Sequence, residues 1–129
     1  MPTLDQVLDA AEKRLERLPQ EVFVQMSDLY VLGTPRDTGS ARASWLPSKG
    51  DPQGRNVERT DGAAYPQRAT VQAVARSIGI GDTASLGNAQ PYMLRLEYEA
   101  WSAQAPGGWT RTAIAQLQVI ADNAARRLT

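Results

Sequence analysis

The side chains in this sequence that could do acid–base or metal chemistry are its paired carboxylates. These are Asp5 with Asp9, Glu12 with Glu16, and Glu97 with Glu99. A glycosidase or a magnesium site needs such groups converging in a cleft. The first two pairs have the spacing of neighbours on an exposed helix face, which is the plainer reading. Glu97 and Glu99 lie among aromatics and are the better candidates. Histidine and cysteine are both absent. Without them there is no general base that titrates near neutrality, no thiolate nucleophile, and neither of the two commonest zinc ligands. Ser40 and Ser44 therefore have no histidine to activate them. Gly33–Gly39 (GTPRDTG) lacks the Gly-Lys-Ser/Thr ending of a phosphate loop, and Gly79-Ile80-Gly81 is too short for a dinucleotide fingerprint. The sequence reads as a non-enzyme that uses no cofactor and no metal.

Charge offers a second kind of function. The 14 basic and 14 acidic residues cancel, but unevenly along the chain. Residues 1–30 carry a balance of −3 and residues 31–78 a balance of +3. The basic middle third (Arg36, Arg42, Lys49, Arg55, Arg59, Arg68, Arg76) could touch phosphates, which is the case for a small nucleic-acid-binding accessory protein. Interspersed Asp37, Asp51, Glu58 and Asp61, and the lack of interleaved stacking aromatics, argue instead for an ordinary surface. Twelve of the 14 bases are arginine, the residue better suited to interfaces because its planar fork binds bidentately.

The elements that must position these groups are readable in outline. With 129 residues, 42% of them hydrophobic, the chain has the size and composition of one domain with a real core. Thr3 can cap a first helix whose apolar positions Leu4, Val7, Leu8, Ala11, Leu15, Leu18, Val22, Met26 and Leu29 follow helical spacing to about residue 32. Pro19 should kink this helix or split it into two collinear ones. Asp37 or Thr38 can cap a short helix over Ser40–Ser44, and a strand starts at Trp45. Residues 47–64 read as an exposed loop. A helix follows from Pro66 to Ser77, then a short strand over Thr83–Gly87. Residues 92–98 fit strand or helix. Thr110 can cap a closing helix with an apolar stripe of Ile114, Leu117, Ile120, Ala121, Ala124 and Leu128, and Arg126 and Arg127 suit its C-terminus. The expected class is α+β: a small antiparallel sheet packed by a long kinked N-terminal helix, a middle helix and an amphipathic C-terminal helix, forming one domain over 1–129. No targeting or membrane-spanning segment is apparent, so cytoplasmic synthesis is expected.

Two clusters carry more information than the rest. One is Thr34-Pro35-Arg36-Asp37-Thr38-Gly39-Ser40-Ala41-Arg42-Ala43-Ser44-Trp45. The other runs through Gly81-Asp82-Thr83, Asn88-Ala89-Gln90-Pro91-Tyr92, Leu96-Glu97-Tyr98 and Ser102-Ala103-Gln104-Ala105-Pro106-Gly107-Gly108. In order and spacing, over roughly residues 30–125, they resemble the neck or tail-completion family of long-tailed bacteriophages, small proteins of the head–tail junction. Glu99-Ala100-Trp101 stands where that family usually has Gly after Glu-Tyr, and Trp109 where a residue such as Met is common. The resemblance implies a structural virion protein that completes the tail top and helps join it to the DNA-filled head as a subunit of a homo-oligomeric ring. The implied partners are other neck or connector proteins and tail-terminator or tail-tube proteins. DNA would pass through the lumen without specific binding, and no membrane is involved. A tail-terminator or head–tail stopper ring is the nearest alternative. The expected interface residues are Arg36, Asp37, Arg42, Tyr92, Glu97, Trp101, Gln104, Pro106 and Trp109; large aromatics and arginine commonly dominate interfaces. Trp45 and Tyr98 are expected in the core.

Overall fold

The computed structural model describes residues 1–34, 40–54, 65, 67–89, 93, 97 and 108–128. Helix α1 spans Leu4–Gly33 and the short α2 spans Ser40–Ala43. Strand β1 (Trp45–Lys49), helix α3 (Arg68–Ser77) and strand β2 (Ala84–Asn88) follow. The described chain closes with α4 (Thr110–Ala115) and α5 (Leu117–Leu128). The class is α+β, with the long first helix packed against the sheet and the other helices.

Helix α1 begins where the sequence says it should. The Thr3 hydroxyl accepts from the Gln6 amide at 3.2 Å, and the Gln6 side chain accepts from the Thr3 amide at 2.9 Å. This reciprocal capping box occupies two of the amides that a helix start leaves without partners. The helix then runs through Pro19 as one element, rather than as two. Residues 16 to 33 hold the rest of the molecule: the Gln20 amide donates to the Ile78 carbonyl at 2.8 Å, and Glu21 pairs with Arg127 at the far end of α5. Residues 4–15 stand clear, all of them exposed.

The sheet is a single antiparallel pair, with Trp45 opposite Asn88 and Lys49 opposite Ala84. Pro47 lies inside β1 and is buried, so the expected exposed loop starts after the strand, at Gly50, and not at residue 47. A two-stranded sheet leaves each strand an open edge, where a proline's missing donor is tolerated. Residues 55–64 of that loop lie outside the described residues.

The core gathers Val31, Trp45, Tyr65, Val71 and Trp109, with Phe23, Val24, Tyr30, Leu86 and Met93 packed against it. The closing helical stripe is only half used. Ala113, Ile120 and Ala124 are buried, while Ile114 and Leu117 are exposed. The run breaks at Gln116, which separates α4 from α5. Met93 and Glu97 are helical, which resolves the ambiguity of that segment at those two positions.

Candidate functional site

Thr34, Arg42 and Trp45 of the first cluster and Glu97 and Gly108 of the second meet at one place, around the C-terminal end of α1. A helix end leaves its last carbonyls without partners, and α1 has no basic residue in its last turn to complement their negative field. Side chains from distant elements complete it. The Thr34 hydroxyl donates to the Tyr30 carbonyl at 2.6 Å and accepts from the Trp45 indole N–H at 2.8 Å. The Trp109 indole N–H donates to the same Tyr30 carbonyl at 3.0 Å. Arg42 Nη2 donates to the carbonyls of Leu32 and Thr34, each at 3.0 Å. Tyr30 and Trp45 also pack ring on ring, with centroids 5.7 Å apart. One end of one helix is thereby tied to α2, β1 and the start of α4.

Arg42 is accordingly spent inside the chain. Its own carbonyl accepts from Gln67 Nε2 at 2.9 Å, and the same amide reaches the Trp45 carbonyl at 3.0 Å. Replacing Arg42 by Glu sets a carboxylate against the helix carbonyls. We expect Arg42→Glu to lower folding stability by about 2 kcal/mol in urea unfolding. An unfolding midpoint equal to the parent's would mean that the α1 end needs no cation.

The start of α4 is completed the same way. Thr110 does not cap it; it is the first helical residue, and the cap position, Trp109, offers no side-chain bond. The cap comes from Glu97, twelve residues upstream. Its Oε1 accepts from the amides of Trp109 and Thr110, each at 2.7 Å. Its Oε2 accepts from the Arg111 amide at 3.3 Å and from Arg111 Nε at 2.7 Å. Arg111 Nη2 donates in turn to the Glu97 carbonyl at 2.9 Å. Burial alone would push the Glu97 carboxyl up. The Arg111 guanidinium and the amides of Thr110 and Trp109 outweigh it and hold the group at about 2. This carboxylate is committed as a hydrogen-bond acceptor and has no proton to exchange near neutrality.

Gly108 makes that approach possible. Its φ is +83°, and a Cβ there would collide with the Glu97 carbonyl and lie 2.7 Å from its carboxyl. Only glycine meets both demands without strain. Gly33 plays a milder version of the part: a Cβ there would sit 3.0 Å from Trp109 Cδ1, so the indole lies directly on the α1 backbone.

Of the nine expected interface residues, Arg42, Glu97 and Trp109 are described, and all three are engaged within the chain at this junction. Trp109 is buried, as is Trp45. Arg36, Asp37, Tyr92, Trp101, Gln104 and Pro106 lie outside the described residues, as do Tyr98 and Glu99. The junction also uses Tyr30 and Gln67, which no sequence pattern singles out. Tyr30 contributes a backbone carbonyl, which no side-chain pattern reveals. Gln67, on the approach to α3, is buried and ties Arg42 to Trp45. Thr34 opens the first sequence cluster, but its role as an acceptor for Trp45 is visible only in the fold.

Scans against protein-family models, curated proteins and solved structures return no match. Among the described residues no group of three or more acidic side chains could hold a metal ion, and no helix is long and apolar enough to cross a membrane. An open groove of about 330 Å³ lies between α1 and α3, lined by Arg17, Gln20, Glu21, Val24, Gln72 and Arg76 among others. Its lining charges are of mixed sign, and its one carboxylate, Glu21, is paired with Arg127.

Proposed function

We propose that this protein is a structural component of a phage head–tail junction, a ring subunit of the neck or tail-completion type. It works by presenting a rigid surface and carries out no bond-making step. The observation that carries the reading is the ordered series of sequence clusters from Thr34 to Gly108. The structure supports it in one respect. Thr34, Arg42 and Trp45 of the first cluster and Glu97 of the second, separated by more than fifty positions, act on one joint. In this reading copies of the chain close into a ring around the tail axis, because a head-to-tail contact with the right rotation closes on itself. Neighbouring neck and tail proteins dock on its two faces, and DNA crosses the lumen without sequence-specific contact.

The test is genetic and structural together. Particles made without this chain should accumulate as filled heads and free tails, and reconstruction of intact virions should show its density between them. Infectious, fully joined particles lacking the chain would end the proposal.

A further inference from the structure

Residues 4–15 of α1 are helical and exposed, and their apolar side chains are largely bare: Leu4, Val7, Leu8 and Leu15 are 73%, 50%, 58% and 61% exposed. An isolated helix of this length is marginal in water, because nucleation costs more than a few turns return. The sequence nonetheless gives it a full capping box at Thr3 and Gln6. The spacing of the bare residues says what kind of surface covers them. Leu8, Leu15 and Val22 recur every seven residues, as do Leu4, Ala11 and Leu18, with intervals alternating four and three. That is the a/d pattern of a coiled-coil seam, with Leu8 at a and Leu4 and Ala11 at d, and such a seam is filled by another helix with the same repeat. The Asp9–Lys13 ion pair lies off the seam, at positions b and f.

The flanks choose the partner's direction. Position e is acidic at Asp5 and Glu12, while position g holds Val7 and Arg14. In a parallel pair each e edge lies beside the partner's g edge; in an antiparallel pair e faces e. Parallel alignment keeps Asp5 and Glu12 away from their own copies and adds Val7 to the buried strip. Antiparallel alignment sets acid against acid, at a cost.

We propose that α1 residues 4–18 form a parallel, in-register helical bundle with the same segment of other copies of this chain. The proposal goes beyond the ring-subunit reading and needs only neighbouring copies of this chain, so the packed seam need not lie on the axis that the DNA crosses. The seam enters the body at Leu18, where α1 becomes half-buried, so assembly would be transmitted directly to the joint at the other end of the same helix.

The absence of cysteine makes a clean test possible. The full chain should associate reversibly in sedimentation equilibrium. Leu8→Asp with Leu15→Asp should weaken that association at least about a hundredfold. The tryptophan-reported unfolding of the body should not move, since both side chains are exposed. Leu8→Cys should form an intermolecular disulfide with itself, whereas an equimolar mixture of Leu4→Cys and Leu15→Cys chains should yield almost none between the two kinds. A chain that stays monomeric at every concentration overturns the proposal. So does association that survives the double substitution, or preferential Leu4–Leu15 cross-linking, which is the antiparallel signature. Joined virions lacking the chain would remove the head–tail role and leave the bundle standing; a monomer found at the neck would do the reverse.

Discussion

Glu97→Ala should cost about 3–5 kcal/mol of folding stability, a loss large enough to leave much of a small domain unfolded at 37 °C. The carboxylate is 5% exposed and carries four hydrogen bonds, three of them from the backbone amides that open α4. Removing it strands those amides, while the half-exposed Arg111 guanidinium keeps the Glu97 backbone carbonyl, and amides left without partners cost more than a bond merely not gained. Glu97→Gln keeps the shape and loses the charge, so it should fall between. The pH dependence gives the prediction its sign. The folded carboxyl sits at about 2, below its ordinary value of 4.5. The unfolded chain therefore binds the proton first as the pH drops. The stabilisation is complete above the ordinary value and drains away between about pH 5 and pH 2, by roughly 2–3 kcal/mol for this group. Asp82, held down by the Gly79 amide and Lys49, adds a smaller slope of the same sign from an exposed position. Urea unfolding of parent and Glu97→Gln across that range is the measurement. Parallel pH curves for the two proteins would show that Glu97 plays no part in holding α4.

Trp109→Ala should be as severe, at about 3–5 kcal/mol. The indole is 7% exposed, sits in the core with Val31, Trp45, Tyr65 and Val71, and lies against the backbone of Gly33. Its N–H shares the Tyr30 carbonyl with the Thr34 hydroxyl. Alanine leaves a cavity that the surrounding helices cannot close without dragging the start of α4 away from α1. Trp109→Phe retains most of the packing and drops only the hydrogen bond, so its loss should be about 1–2 kcal/mol. The two variants separate packing from polar tethering in one denaturation series. An alanine variant as stable as the phenylalanine one would show that the cavity collapses and that the indole is not the pin of this joint.

These expectations differ from what the sequence suggests for the same residues. Arginine, a carboxylate and tryptophan in a motif-rich stretch look like groups offered to a partner. In the folded chain Arg42, Glu97 and Trp109 instead complete two helix termini whose own sequences lack the means: α1 ends without a basic residue, and α4 starts without a capping side chain. A helix terminus creates a local demand that any element can satisfy, and the chain satisfies it from ten, twelve and seventy-nine residues away. Sequence patterns report demands met within a turn or two, such as Thr3 with Gln6. They are blind to those met through space.

The same division runs through the whole protein. Periodicity placed α1, α3 and the start of β1, and the Thr3 cap, because helical spacing and capping are short-range properties of the chain, whereas the break at Gln116 and the cap of α4 were missed. The α+β class followed from the order of the elements. Where β1 ended was not legible, since Pro47 reads as a breaker until its strand is known to have an open edge. The apolar stripe of α1 was plain in the residues from Leu4 to Leu29. Only the packed structure decided that its second half faces α3, α4 and α5 while its first half faces solvent. The physical reason is length: a helix of thirty residues outreaches a body of this size, and hydrophobic spacing specifies a face without specifying what will cover it.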